Sequence, residues 1–290
     1  MNSEIELAAG GPRAEQGLAR AERWLAAYEG RFSRFRILSE LSLLNRSEGE
    51  PVRVSLPLLQ LIDLSLHFAR RSNGLFDPTV LRDLEAAGYD RSFEQLAPKP
   101  ARRQKRRAVS WQEIRVDRAA RTVTLPAGAG IDLGGIGKGW AIDRMASMLG
   151  KPCLVNGGGD VYAGGQPPGE DCWLVGIADP FAPERDIIVL RVCDRGVATS
   201  STVRRRWQVG DAFFHHLIDP QTGLSSTSDA VQVSVVASSA LLADFHAKVA
   251  LLQGAVAGLA YLNSAPAVEG LIVCRDGTIL QSNGLFDYSG

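Results

Sequence analysis

The chain has 290 residues, 45% of them hydrophobic, enough to bury a full core as one large domain or two fused subdomains. Its 32 Lys and Arg balance 32 Asp and Glu, which excludes a general basic field for nucleic acid but leaves room for a local patch. No run reaches the roughly 18 apolar residues that a membrane-spanning helix needs, so no span is expected.

The opening MNSEIELAAGG has no basic n-region, no long apolar core and no Cys at a cleavage site. A secretory or lipoprotein signal is therefore not expected, and the cytoplasm is the expected location. The four cysteines, Cys153, Cys172, Cys193 and Cys274, form no CxxC pair and sit in apolar or strand-like runs. They read as buried structural thiols in a reducing compartment. No Cys/His cluster has zinc-ligand spacing.

In chain order, residues 4–8 suit a short strand. Apolar residues at Leu18, Ala21, Leu25, Tyr28 and Phe32 then recur at helical spacing, predicting an amphipathic helix from Pro12 to Phe32. A second helix is expected from Ser55, a candidate N-cap, to Ser72, with Gly74 as the stop. The polar stretch Pro98–Arg107 contains RRQKRR and is expected to be an exposed loop, around residues 98–110. No aromatic residues interleave within it, which argues against a nucleic-acid role.

Residues 114–125 alternate as a hairpin. Short apolar strands then alternate with Gly-rich turns: IDLGG, CLVNGGGD, CWLVGIADP, IIVLRV and VQVSVVA. Helices are expected over Lys138–Leu149 and Ser239–Leu252. The chain closes with a hairpin around Asp276-Gly277. Strands and helices mix without a βαβ rhythm, so the fold class is α+β. The whole chain, 1–290, reads as a single domain.

Five segments carry candidate chemistry. In IDLGGIGKGWAIDRM (131–145) a strand is expected to end at Leu133. Gly134, Gly135, Gly137 and Gly139 then surround Lys138 before a helix. Exposed N–H groups, a helix N-terminus and a lysine favour phosphate, although a tight packing turn would use the same glycines. In LVNGGGDVYAGG, Gly158 and its neighbours precede Asp160; either a ligand lies against this turn or it is a wide bend. VATSSTVRRRW (197–207) places the hydroxyls of Thr199, Ser200, Ser201 and Thr202 near a strand end, as ligand contacts or as backbone caps.

In FFHHLIDPQTG (213–223), His215 and His216 would face opposite sides of a strand. A histidine near Asp219 suits a general base, and a plain turn bearing surface histidines would read alike. In SSALLADFHAKVALLQG, Ser238 or Ser239 caps a helix on which Asp244 and Lys248 share one face. They form either a salt bridge or a carboxylate aimed at a metal–phosphate site. The apolar residues around them predict a buried helix.

Taken together, these segments resemble the ApbE family, the FAD:protein FMN transferases. The resemblance runs in order through FSRFRILSELSLLN (32–45), NGLFDPTV (73–80), IDLGGIGKGWAIDR (131–144), LVNGGGD (154–160), VGIADP (175–180), VATSS (197–201), HHLIDPQTG (215–223) and SVVASSALLAD (234–244). It implies mixed sheets with packed helices and FAD held in a cleft between two subregions, with Mg²⁺ near the pyrophosphate. Asp244 and the carbonyl of Gly137 match metal-ligand positions. Lys138 and the nearby glycines, Gly135 among them, match the FAD-contacting loop. Gly158, Asp160 and Lys248 join the expected FAD-binding set. Ser39, Glu40, Asp77, Thr79, Thr199 and Ser200 match positions lining the flavin and ribityl pocket. One histidine of the HHLIDP block, His215 or His216, matches the catalytic base, and His216 is favoured for its closeness to Asp219.

The implied reaction transfers FMN to a Ser or Thr hydroxyl of a partner flavoprotein and releases AMP. The chain departs from the family's pattern where Lys248 replaces the usual Thr and Ser201 the usual Gly, and Met1-Asn2-Ser3 is only a loose counterpart of the usual Met-Gly-Thr start. An ammonium cannot ligate Mg²⁺, so the site would hold fewer metals or grip the pyrophosphate through Lys248. Two other readings compete: an Mg²⁺-dependent FAD pyrophosphatase, and an FAD-binding protein with a weakened metal site.

Overall fold

The structure, a computed structural model, describes residues 4–96, 109–210 and 212–289. The RRQKRR segment and the centre of the expected loop therefore lie outside the described residues. In chain order the elements are β1 (Ile5–Ala9), α1 (Ala14–Phe32), α2 (Glu40–Leu44), β2 (Val52–Arg53), α3 (Leu56–Arg71) and α4 (Leu81–Ala86). The hairpin β3 (Arg115–Asp117) and β4 (Thr122–Thr124) precedes α5 (Gly137–Leu149), β5 (Cys153–Gly157) and β6 (Asp160–Gly164). Then come β7 (Trp173–Ala178), β8 (Asp186–Val192), β9 (Arg195–Ser201), β10 (Arg206–Val209) and β11 (Ala212–His215). The chain ends with β12 (Ile218–Asp219), β13 (Leu224–Ser225), β14 (Ala230–Ala237), α6 (Ala240–Gln253), α7 (Ala255–Ser264), β15 (Glu269–Cys274) and β16 (Ile279–Gln281). The α+β class follows, with the first long helix where its apolar period predicts it, the second where its capping residues do, and the terminal hairpin around the Asp276-Gly277 turn.

The chain divides into two compact units, the first formed by Ala27–Gly135 and Arg205–Ser226 and the second by the remaining described residues. In the first unit, Ser39 and Ser55 cap α2 and α3 by accepting from Ser42 N and Leu58 N. The Glu40 carboxylate binds both the backbone N–H and the hydroxyl of Ser55, tying the two caps together. A core of Leu84, Ala87, Tyr89, Trp207, Val209 and Ile218 closes around α4 and the β10–β11 ribbon. Trp207 Nε1 donates to the Ala87 carbonyl at 2.7 Å, satisfying an open carbonyl at the end of α4.

The expected strand over IDLGG does not form. Its backbone finds partners elsewhere: the Asn45 side chain donates to Ile131 O and accepts from Ile131 N, at 2.9 and 2.8 Å, and Asp132 N donates to Pro78 O. Arg34 Nε pairs with Asp132 at 2.7 Å. An amide clasp and an ion pair thus do what a strand ladder would have done.

The second unit is built on an antiparallel seven-stranded sheet of order β1-β5-β6-β9-β14-β15-β16. Strand alternation sends Val161, Ala163 and Val197 to one face, where they meet Val175, Ile177, Leu190 and Val192 of the β7–β8 ribbon. On the other face Val155 and Cys153 pack with Ile142, Met145 and Ala240 of α5 and α6. β14 is buried throughout, as expected of a central strand covered on both faces. Cys153 alone among the four cysteines is buried; Cys172, Cys193 and Cys274 are half-buried. The uniform burial expected of the thiols fails because the other three stand at strand ends.

Candidate active site

Four charged residues of the second unit, Lys138, Asp160, Asp244 and Lys248, come together where α5 and α6 pack on the sheet. α5 and α6 touch through Gly139: a Cβ there would stand 2.7 Å from both Ala240 O and Leu241 Cα. Asp143, one turn further along α5, accepts from Ala240 N and Leu241 N at 2.9 and 3.1 Å and so caps α6. Burial pushes the Asp143 carboxyl above the ordinary carboxylate range, against these two N–H groups. Ser239 completes the cap by accepting from Leu242 N.

Fixed in this way, α6 presents Asp244 to the first turn of α5. Asp244 is buried and its Oδ2 has no hydrogen-bond partner. Its carboxyl is pushed up to about 7, by burial first and then by the charge of Asp160; the ammoniums of Lys248 and Lys138 and the Gly139 N–H act in the opposite direction. Asp160 opens β6 on the same side of the sheet. Its Oδ2 pairs with Lys138 Nζ at 2.6 Å and its Oδ1 accepts from Thr199 N at 3.0 Å. Two buried carboxylates and two half-buried ammoniums therefore share one corner.

The hairpin glycines have a conformational reason. Gly158 and Gly159 form the two-residue connection between paired Gly157 and Asp160, with φ of 64° and 94°. Both central residues of such a turn need positive φ, which glycine supplies without strain. Alternation along β9 separates the two hydroxyls read together in VATSS. Thr199 Oγ1 bonds Ser234 Oγ at 2.8 Å on the ribbon-covered face. Ser200 stands on the helix-covered face with Gly196, whose α-carbon abuts the start of α6.

The histidines lie in the first unit. His215 ends β11, and its Nε2 donates to Ser226 O at 3.0 Å, while Ser225 Oγ bridges its backbone N–H and carbonyl. His216 follows, half-buried, outside the strand. Asp219 works in its own turn: its carboxylate accepts from Gln221 N and from the Thr222 hydroxyl. In the same unit Asp77 Oδ1 accepts from the backbone and hydroxyl of Thr79, an Asx turn at the start of the PTV segment. Ser39 and Glu40 are the capping residues already described. The helper residues Asn45, Arg34 and Asp143 were not singled out by sequence, although each lies inside a motif block.

Among the described residues, no group of three or more His, Cys, Asp or Glu stands together as a metal cluster, and no helix is long and apolar enough to cross a membrane. The ApbE family model matches residues 1–272. The chain belongs to the ApbE family. A Treponema pallidum relative named FAD:protein FMN transferase is 30% identical over 86% of this chain and 74% of its own length. A Klebsiella pneumoniae relative of the same name is 26% identical over 91% and 84%. Among solved structures, the ApbE protein of Thermotoga maritima superposes with a TM-score of 0.89 at 25% identity, over 99% of this chain and 96% of that one. The flavin transferase ApbE of Vibrio cholerae, at 22% identity, shares the fold with a TM-score of 0.83, over 99% and 96%. This ApbE-family chain thus has the α+β architecture of the flavin transferases.

Proposed function

We propose that the chain is an Mg²⁺-dependent FAD:protein FMN transferase that moves the FMN half of FAD onto a Ser or Thr hydroxyl of a partner flavoprotein and releases AMP. The observation that carries this reading is the Asp244 carboxylate, a buried anion with one oxygen unpartnered and its pKa raised to about 7. A hard divalent cation with oxygen ligands answers that deficit, so the residues fit Mg²⁺. Asp244 and the Gly137 carbonyl would hold it. When bound, Mg²⁺ would neutralise charge on the pyrophosphate and favour AMP as the leaving group.

The protein's own groups do the rest. Lys138, in the first turn of α5 and oriented by Asp160, draws phosphate oxygens to the N–H groups of that helix end. Lys248 adds a second fixed positive charge one turn from Asp244 and grips the pyrophosphate directly. Gly135, Gly158 and Asp160 line the phosphate path, while Ser39, Glu40, Asp77, Thr79, Thr199 and Ser200 belong to the flavin and ribityl side. Ser39, Glu40 and Thr199 do so through the backbone they position. His216 takes the proton of the acceptor hydroxyl as that oxygen bonds to the FMN phosphorus and the bond to AMP breaks. His215, held by Ser226, and Asp219, shaping the following turn, position it.

The variants Asp244→Ala and His216→Ala separate these roles. Asp244→Ala should abolish the Mg²⁺-dependent tightening of FAD binding as well as AMP release. His216→Ala should keep the binding and lose transfer by about 10²-fold or more. Equal FAD binding in Asp244→Ala with and without Mg²⁺, matching an equally Mg²⁺-indifferent parent, would sink the metal assignment.

A further inference from the structure

Two thiols that the transferase reading does not use stand together at the end of the β7–β8 ribbon. Trp173 pairs with Val192 as the first and last residues of the two strands. Cys172 and Cys193 are the next residue on each strand, and their Sγ atoms lie 3.6 Å apart, with Cys193 donating. Antiparallel register explains the meeting: residues directly opposite have α-carbons about 4.5–5.5 Å apart, inside the range a disulfide spans. Cys193 Sγ also contacts the carbonyls of Asp171 and Gly165. Both residues are half-buried, whereas Cys153 is enclosed and Cys274 lies in β15.

We propose that Cys172 and Cys193 form a redox-active dithiol that closes into an intramolecular disulfide on reaction with a low-molecular-weight disulfide. One thiolate attacks a sulfur of the small disulfide, forms a mixed disulfide and releases one small thiol. The second cysteine attacks the protein sulfur of that mixed disulfide and releases the second small thiol. The pair loses two protons and two electrons, and the small disulfide gains them. Closure shortens the Sγ–Sγ separation by about 1.5 Å to the ordinary bond length, a change that side-chain rotation at two strand ends can supply.

Burial and the neighbouring Cys172 push the Cys193 thiol up, so closure should quicken as pH rises. The bridge would lock the open end of the ribbon whose Val175, Ile177, Leu190 and Val192 cover one face of the main sheet. It would also hold the Gly165 end of β6, which Asp194 grips through the Gly165 N–H at 2.7 Å.

The test equilibrates the full chain in glutathione buffers from reducing to oxidising, blocks remaining thiols, and reads intact and peptide masses. The expected result is loss of two of the four thiols, no retained glutathione at residues 172 and 193, and a cross-linked peptide joining them. Cys193→Ser should instead trap glutathione stably on Cys172. Stable glutathione on either residue of the parent chain would overturn the proposal, as would both thiols remaining alkylatable when glutathione is fully oxidised, or a cross-link that includes Cys153 or Cys274.

Discussion

Gly139→Ala adds one methyl group where α5 and α6 have no room for it. The new Cβ would lie 2.7 Å from Ala240 O and Leu241 Cα and 2.8 Å from Leu241 N, all backbone atoms, whereas ordinary contact begins at 3.4 Å. The helices must part by roughly 0.7 Å, and overpacking of this kind costs about 1–3 kcal/mol. Parting also stretches the two bonds from Asp143 to the start of α6, adding to the loss. Against this, alanine gains at most ~1 kcal/mol of helix propensity over glycine, and less in the first turn. The expected net loss is about 2 kcal/mol. Equilibrium urea unfolding should show it as a lower midpoint at unchanged slope. The displaced Gly139 N–H should also serve Asp244 less well. A variant as stable as the parent would refute the close-packing account of this glycine.

Asp143→Ala strips two N–H groups of α6 of their acceptor and should cost roughly 2 kcal/mol in the same assay. Asn45→Ala removes both bonds that hold Ile131; about 2 kcal/mol should be lost, with faster amide exchange at Ile131. Asp244 gives a pH signature in metal-free protein. Its folded pKa, about 7, exceeds the unfolded value near 4. The associated stability is fully present below about 4 and is lost as pH rises through about 7. Asp244→Asn should flatten that part of the stability–pH curve, by on the order of 1–3 kcal/mol between its ends; an unchanged curve would contradict the raised pKa.

The sequence was most readable where one local force dominates. The helix at 14–32 follows its apolar period, and Ser55 and Gly74 mark the ends of the one at 56–71 as capping chemistry requires. Asp244 and Lys248, polar residues in an apolar helix, signalled a buried charge because burying one is costly without a partner. The misread strand at Ile131–Leu133 has the composition of a strand, but its partners are Asn45 and Pro78, more than 50 residues earlier. No local pattern encodes that. The meeting of Cys172 with Cys193 is likewise set by ribbon register, and the Lys138–Asp160 pair by the crossing of α5 over β6. The division of Thr199 and Ser200 between faces follows from strand alternation, but the Thr199–Ser234 bond depends on β9 pairing with β14, which no local pattern encodes.

The most direct measurement mixes the purified chain with FAD, Mg²⁺ and a Ser/Thr-containing acceptor flavoprotein domain, and follows acceptor mass together with AMP. Gain of one FMN per acceptor at a Ser or Thr, with AMP released in equal amount and both lost on chelation of the metal, is the predicted result. AMP and free FMN without acceptor gain, across acceptors of varied sequence, would contradict transfer and make the chain a pyrophosphatase; FAD bound and unchanged would make it a binding protein.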